Sequence, residues 1–315
     1  MSAIRVGTSS WADQQLLASG WYPRSAGTPA GRLAHYSGHF DLVEADTSYH
    51  AIPAVETTQA WADRTPESFT FDVKAYGLFT GHRVAPGTLP ADLRPAGVGD
   101  RIRWRDLDPD VYDELWVRFR AALEPLATAG KLGVVLLQFP PWLVRSDAAR
   151  RRILNVAERC RRLAGGPVRL AVELRHGSWF GQHTLDTLRL LQRHDLSYVC
   201  VDMPQGHPSS VPPVLVVTAD PAVVRFHGHS GQWATGDKQE KFRYAYSDRE
   251  LADWARRLRG LARDTTELHA LFNNCCGDQA VRDAAALADL LADPADVDVG
   301  TGDRARRRRH LRSVS

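Results

Sequence analysis

No stretch of the 315-residue chain approaches the roughly 18 to 20 consecutive apolar residues that a membrane-spanning helix needs, so a helical span is not expected. The chain reaches a strand-like segment at Ile4 with no charged-then-apolar leader, and a cytoplasmic location is the expectation. Cysteine is scarce. Cys160, Cys200 and the adjacent Cys275 and Cys276 show no Cys-x-x-Cys spacing, which supports neither a zinc ribbon nor a disulfide framework and suits a reducing compartment. They read as buried free thiols, with a redox role for the adjacent pair as the alternative. No Gly-rich phosphate loop, Gly-x-Ser-x-Gly elbow or His-Glu-x-x-His occurs, so nucleotide-loop, hydrolase-elbow and zincin chemistry lack a motif.

An excess of charge is missing as well, except at one end. Residues 303 to 315 hold six Arg and one Asp, a contribution of +5 to a total of +3, so residues 1 to 302 sum to −2. Any nucleic-acid contact would therefore rest on the tail around Arg306, Arg307, Arg308 and Arg309, and it would be weak and salt-sensitive. Residues 296 to 315 are expected to form a basic, disordered tail behind one domain over residues 1 to 295.

What is present is the composition of an ordinary globular protein, 43% hydrophobic and 24% charged. Eight β-rich segments recur: Ile4 to Thr8, Asp41 to Asp46, Phe69 to Lys74, Leu132 to Gln138, Val168 to Arg175, Ser197 to Asp202, Ala222 to His227, and His269 to Asn273. Between them lie stretches with apolar spacing near 3.6, clearest in Val111 to Ala129, Ala148 to Leu163, Thr184 to His194, Asp248 to Leu261 and Gln279 to Leu291. The crossover after the sixth strand is weak, because Val211 to Thr218 is short and holds two prolines. Eight alternations of strand and helix predict an α/β fold, a single (β/α)₈ TIM-like barrel. Long βα loops follow the third strand, Gly77 to Asp110, and the seventh, Gly228 to Ser247, and both should lie on the catalytic face.

Side chains alternate along a strand, so parity predicts which polar residues share the barrel interior. Leu42, Glu44 and Asp46 share a face, as do Thr70, Asp72 and Lys74, Glu173 and Arg175, and Val223, Arg225 and His227. Gln138 follows Val134 and Leu136, Asp202 follows Cys200, and Asn273 follows Leu271. Each run begins apolar and ends polar, which predicts dry lower layers and a site at one mouth. Five carboxylates (Glu44, Asp46, Asp72, Glu173, Asp202) face Lys74, Arg175 and Arg225, with His176 and His227 nearby. The set is about two positive charges short. A protonated histidine, a shared proton, a metal ion or a cationic substrate would each close the gap. Trp11, Trp61, Trp179 and Trp233 stand near loops, where packing is the commoner role for an aromatic and a ligand platform the rarer one.

Ten motifs in order carry a resemblance. They are GTSSW from Gly7, GWYP from Gly20, VEADTSYHAIP from Val43, Trp61 before TPESFTFDVKA, LLQFPP from Leu136, VELRHGSW from Val172, VDMPQ from Val201, RFHGHSGQW from Arg225, YAYSDREL from Tyr244 and FNNC from Phe272. Over residues 4 to 292 the chain resembles the YecE-like family, a bacterial domain of unknown function. The resemblance implies a barrel and no particular reaction. It also implies a polar signature of Glu44, Lys74, Glu173, Arg175, Asp202, Arg225, His227 and Asn273. One departure is His50, where the family usually has a second aromatic after Tyr49.

The first functional expectation is an enzyme using carboxylate acid/base chemistry on a sugar-like or phosphorylated small molecule, polar or anionic. Glu44, Glu173, Asp202 and His227 are its candidate catalytic groups. Trp11, Asp46, His50, Lys74, Gln138, Arg175, His176, Arg225 and Asn273 are its candidate binding groups. No cofactor is required by the sequence. A divalent metal held by Glu173, Asp202 and His227 in a hydrolase or isomerase is the second expectation. The third is a non-enzymatic binding protein with polyanion contacts through the tail.

Overall fold

The structure is a computed structural model that describes residues 2–161, 168–235, 237–274 and 276–292. The Arg-rich tail and Cys275 lie outside the described residues. Eight parallel strands close into a barrel in sequence order: Ala3–Thr8 (β1), Leu42–Ala45 (β2), Thr70–Lys74 (β3), Leu132–Gln138 (β4), Arg169–Glu173 (β5), Ser197–Asp202 (β6), Ala222–Phe226 (β7) and Glu267–Phe272 (β8). The barrel closes through six β1–β8 register pairs, from Ala3 with Glu267 to Thr8 with Phe272. Crossover helices cover the strands at Pro29–Ser37, Val55–Asp63, Pro109–Thr128, Asp147–Arg161, Thr184–Arg193, Asp248–Leu261 and Gln279–Ala292. No described helix is long and apolar enough to cross a membrane.

The β6–β7 crossover has no helix: residues 211–217 run without regular structure. Pro212 and Pro213 remove two backbone donors there, and Thr218 instead ties the segment to the barrel, its Oγ1 accepting from Tyr198 N at 2.7 Å. The loop after β3 is an ordered cover, turning through short helical pieces at Gly77–Thr80, Pro86–Thr88, Ala91–Leu93 and Trp104–Asp106. A Val84–Ile102 bridge pins its two arms together.

The lower barrel departs from the expected dry layers. Glu267 at the start of β8 accepts from Arg5 Nε at 2.6 Å and Arg169 Nη1 at 2.7 Å. One level higher, His269 Nδ1 lies 2.9 Å from Asp72 Oδ2. The β3–β4 register shifts between Phe71 and Val73, so Gly133 and Val134 both stand opposite Asp72. The bulge frees the Val134 amide, and Asp72 Oδ1 accepts from it at 2.8 Å. Residue 133 must be glycine: a Cβ there would lie 2.2 Å from Asp72 Oδ1. Cys160 and Cys200 are buried free thiols, and Cys276 is half-buried.

Candidate functional site

Parity and register bring Glu44, Glu173, Arg225 and His227 into the upper interior, all at most 1% exposed. Arg225 is the hub. Its Nη2 donates to Glu44 Oε1 at 2.7 Å and approaches Ser9 Oγ at 3.3 Å, while Nη1 donates to Glu173 Oε2. Glu173 Oε1 also accepts from Arg175 Nη1 at 2.7 Å. Burial alone would raise the Glu173 carboxyl, but Arg225, His227 and Arg175 outweigh it and hold the group well below the ordinary range.

Glu44 has the same burial and fewer partners. Burial pushes its carboxyl up to about 7, against the opposing pull of Arg225 and Lys74. Its second oxygen, Oε2, is buried with no hydrogen-bond partner. Two glutamates on one guanidinium thus have opposite proton affinities, the arrangement by which an acid and a base are told apart.

His227 Nδ1 lies 2.9 Å from Asn273 Nδ2, and Nε2 faces Arg175 Nη1 at 3.2 Å and Glu173 Oε1 at 3.4 Å. Burial lowers its pKa to about 4, so the ring is neutral at physiological pH. An imidazole accepting from Asn273 at Nδ1 carries its proton on Nε2, facing Glu173. Above this layer Lys74 Nζ sits 2.7 Å from Asp46 Oδ1 and 4.4 Å over the Tyr49 ring. Arg175 lies over Trp233 at 5.4 Å. The Lys74 and Arg175 side chains are each 11% exposed, and they are the cations of the cluster that reach toward solvent. Gln138, half-buried at the end of β4, is in register with Glu173.

Four sequence candidates lie elsewhere. Asp202 pairs in register with Phe226, whose ring faces Trp254 in the helix layer, so Asp202 points out of the barrel. Its carboxylate binds His229 Nε2 at 2.8 Å and accepts from the Tyr246 hydroxyl at 2.6 Å. The expected Glu173, Asp202 and His227 metal set is therefore not assembled, and among the described residues no three His, Cys, Asp or Glu side chains are placed to share a metal. Trp11 packs edge-on against Trp61 and Phe71. His176 caps a short helical turn, its Nδ1 accepting from Ser178 N at 3.1 Å. His50 is exposed, its ring against Tyr49.

Two histidines that parity did not single out lie against two of the five carboxylates, His269 on Asp72 and His229 on Asp202. Burial opposes the His269 imidazolium, but Asp72 and Glu267 raise its pKa to about 9. The hydrogen bond to Asp202 raises His229. With Asp72 and Asp202 engaged by these rings, the carboxyls of Glu44, Asp46 and Glu173 stand against Lys74, Arg175 and Arg225, three against three. His82 was also missed. It belongs to the loop after β3, which the sequence placed on this face. Its ring is edge-on to Tyr49 at 5.2 Å and to Trp142 at 5.6 Å, and burial, then Lys74, lowers its pKa to about 4.

A family model described as "Protein of unknown function DUF72" matches residues 5–306. The UPF0759 protein YunF of Bacillus subtilis is 30% identical over 296 residues, covering 91% of this chain and 94% of that one. A DUF72 family protein of Enterococcus faecalis has a crystal structure that superposes with TM-score 0.75 at 25% identity, over 93% of this chain and 97% of its own. One from Thermotoga maritima gives TM-score 0.72 at 26% identity, over 92% and 100%.

Proposed function

This chain belongs to the DUF72 family, and on that premise we propose that it is an enzyme performing carboxylate acid/base chemistry on a sugar-like or phosphorylated small molecule at the barrel mouth. We take the YecE-like motifs and the DUF72 match as two descriptions of one family. The observation that carries the proposal is Glu44. A buried carboxyl brought to about 7, with one oxygen unpartnered, gives and takes a proton near neutrality at Oε2. Glu173 is the fixed anion that holds Arg225, Arg175 and His227 in place. Lys74 and Arg175 receive an anionic group, which competes with Asp46 for the Lys74 ammonium. Gln138 and Asn273 orient hydroxyls.

The metal-dependent alternative loses its ligand set with Asp202 on the outer face. A binding role through the basic tail falls outside the described residues. The deep burial of Glu173, Arg225 and His227 favours a second reading, in which the network only braces the barrel. Incubating wild type and Glu44→Gln with pooled sugar phosphates and sugar acids, read by mass spectrometry, separates the two. Wild-type conversion that vanishes in the variant is the expected result, and conversion by both would remove Glu44 from the chemistry.

A further inference from the structure

Trp142 is 60% exposed, yet the loop that carries it is firmly tied down. Trp179 Nε1 donates to Leu143 O at 2.7 Å, Arg145 N donates to Ser178 Oγ at 2.9 Å, and Leu143 N closes a turn on Pro140 O at 2.9 Å. A rigid backbone thus presents a large apolar ring to water, at a cost in exposed area that packing on the loop's own neighbours would have avoided. The ring lies edge-on to the buried His82 at 5.6 Å. It also stands on the rim, four residues beyond Gln138, and the chain of contacts Trp142, His82, Tyr49, Lys74 leads from it to the mouth.

We propose that Trp142 is the floor of a distal subsite, and that the ligand is an anionic sugar longer than one ring. Its charged end meets Lys74 and Arg175, and the C–H face of its second ring lies on Trp142. This rests on the reading of the mouth as a substrate site. The ring contacts run from Lys74 through Tyr49 and His82 to Trp142 at 4.4, 5.2 and 5.6 Å, so two side chains stand between the charged end and the outer ring, and a ligand that meets both extends past them. An aromatic floor suits a saturated ring, and Asp46 beside Lys74 and Gln138 at the end of β4 offer hydroxyl partners rather than stacking faces. Binding energy gathered at Trp142, away from the reacting end, would serve to position that end against Glu44.

Calorimetric titration of the full chain with trehalose 6-phosphate, glucose 6-phosphate, trehalose, inorganic phosphate and AMP tests this, each against wild type, Trp142→Ala, Trp142→Phe and Lys74→Ala. Trehalose 6-phosphate should bind at least about tenfold more tightly than glucose 6-phosphate or trehalose. Trp142→Ala should erase that advantage, Trp142→Phe should restore most of it, and inorganic phosphate should bind both variants like wild type. If Lys74→Ala weakens the phosphorylated probes but Trp142→Ala does not, the distal subsite is overturned and the mouth reading stands. If Lys74→Ala weakens none of them, the mouth reading falls and takes the subsite with it. AMP binding most tightly with the same Trp142 dependence would overturn the sugar assignment, as would no binding of trehalose 6-phosphate.

Discussion

Arg225 donates to Glu44 Oε1 at 2.7 Å while Glu44 Oε2, on the same buried carboxyl, has no hydrogen-bond partner. One carboxylate is thus half satisfied at the centre of a network whose other glutamate is saturated.

Removing the hub should be costly whatever the chemistry. Arg225→Met leaves Glu44 and Glu173 buried without their shared cation, and a loss of about 3 to 5 kcal/mol in guanidinium unfolding is expected. A variant as stable as wild type would show that the two glutamates do not depend on it.

The Glu44 carboxyl should be followed directly by carbon-detected NMR, with half-protonation near pH 7. Its folded pKa is raised, so its contribution to stability is fully present below the unfolded value near 4.5 and is lost as pH rises through about 7. The difference in unfolding free energy between wild type and Glu44→Gln should therefore shift against wild type between those values and level off above. A flat difference would mean that Glu44 is ionised throughout.

His269 predicts an alkaline limit. Its folded pKa of about 9 lies above the ordinary 6.5, so the Asp72–His269 pair stabilises fully below 6.5 and that stability disappears as pH passes 9. Melting temperature should fall across this window in wild type and much less in His269→Gln, checked by calorimetry in matched buffers.

The bulge makes a steric prediction. Gly133→Ala would set a Cβ 2.2 Å from Asp72 Oδ1 and 2.7 Å from Thr70 Cγ2, forcing the carboxylate off the Val134 amide. Destabilisation of about 1 to 3 kcal/mol by denaturant titration is expected. A neutral outcome would show that the bulge relaxes freely.

Much was legible in the sequence by itself. Eight β-rich segments alternating with apolar spacing near 3.6 determined the barrel, because only that period on each element buries one face, and the observed strands begin and end within two residues of the expected ones. Parity placed Glu44, Lys74, Glu173, Arg225 and His227 in the interior, since a strand's side chains alternate whatever its neighbours do. Which charge meets which was decided by tertiary structure. Asp202 looked inward from its own strand, but the register of β6 on β7 pairs it with Phe226 and turns it out to His229 and Tyr246. Asp72 looked like a mouth carboxylate until the Gly133–Val134 bulge and His269, 197 residues away, claimed it lower down. Pairing across a closed barrel depends on inter-strand stagger, and no single strand's sequence carries that quantity.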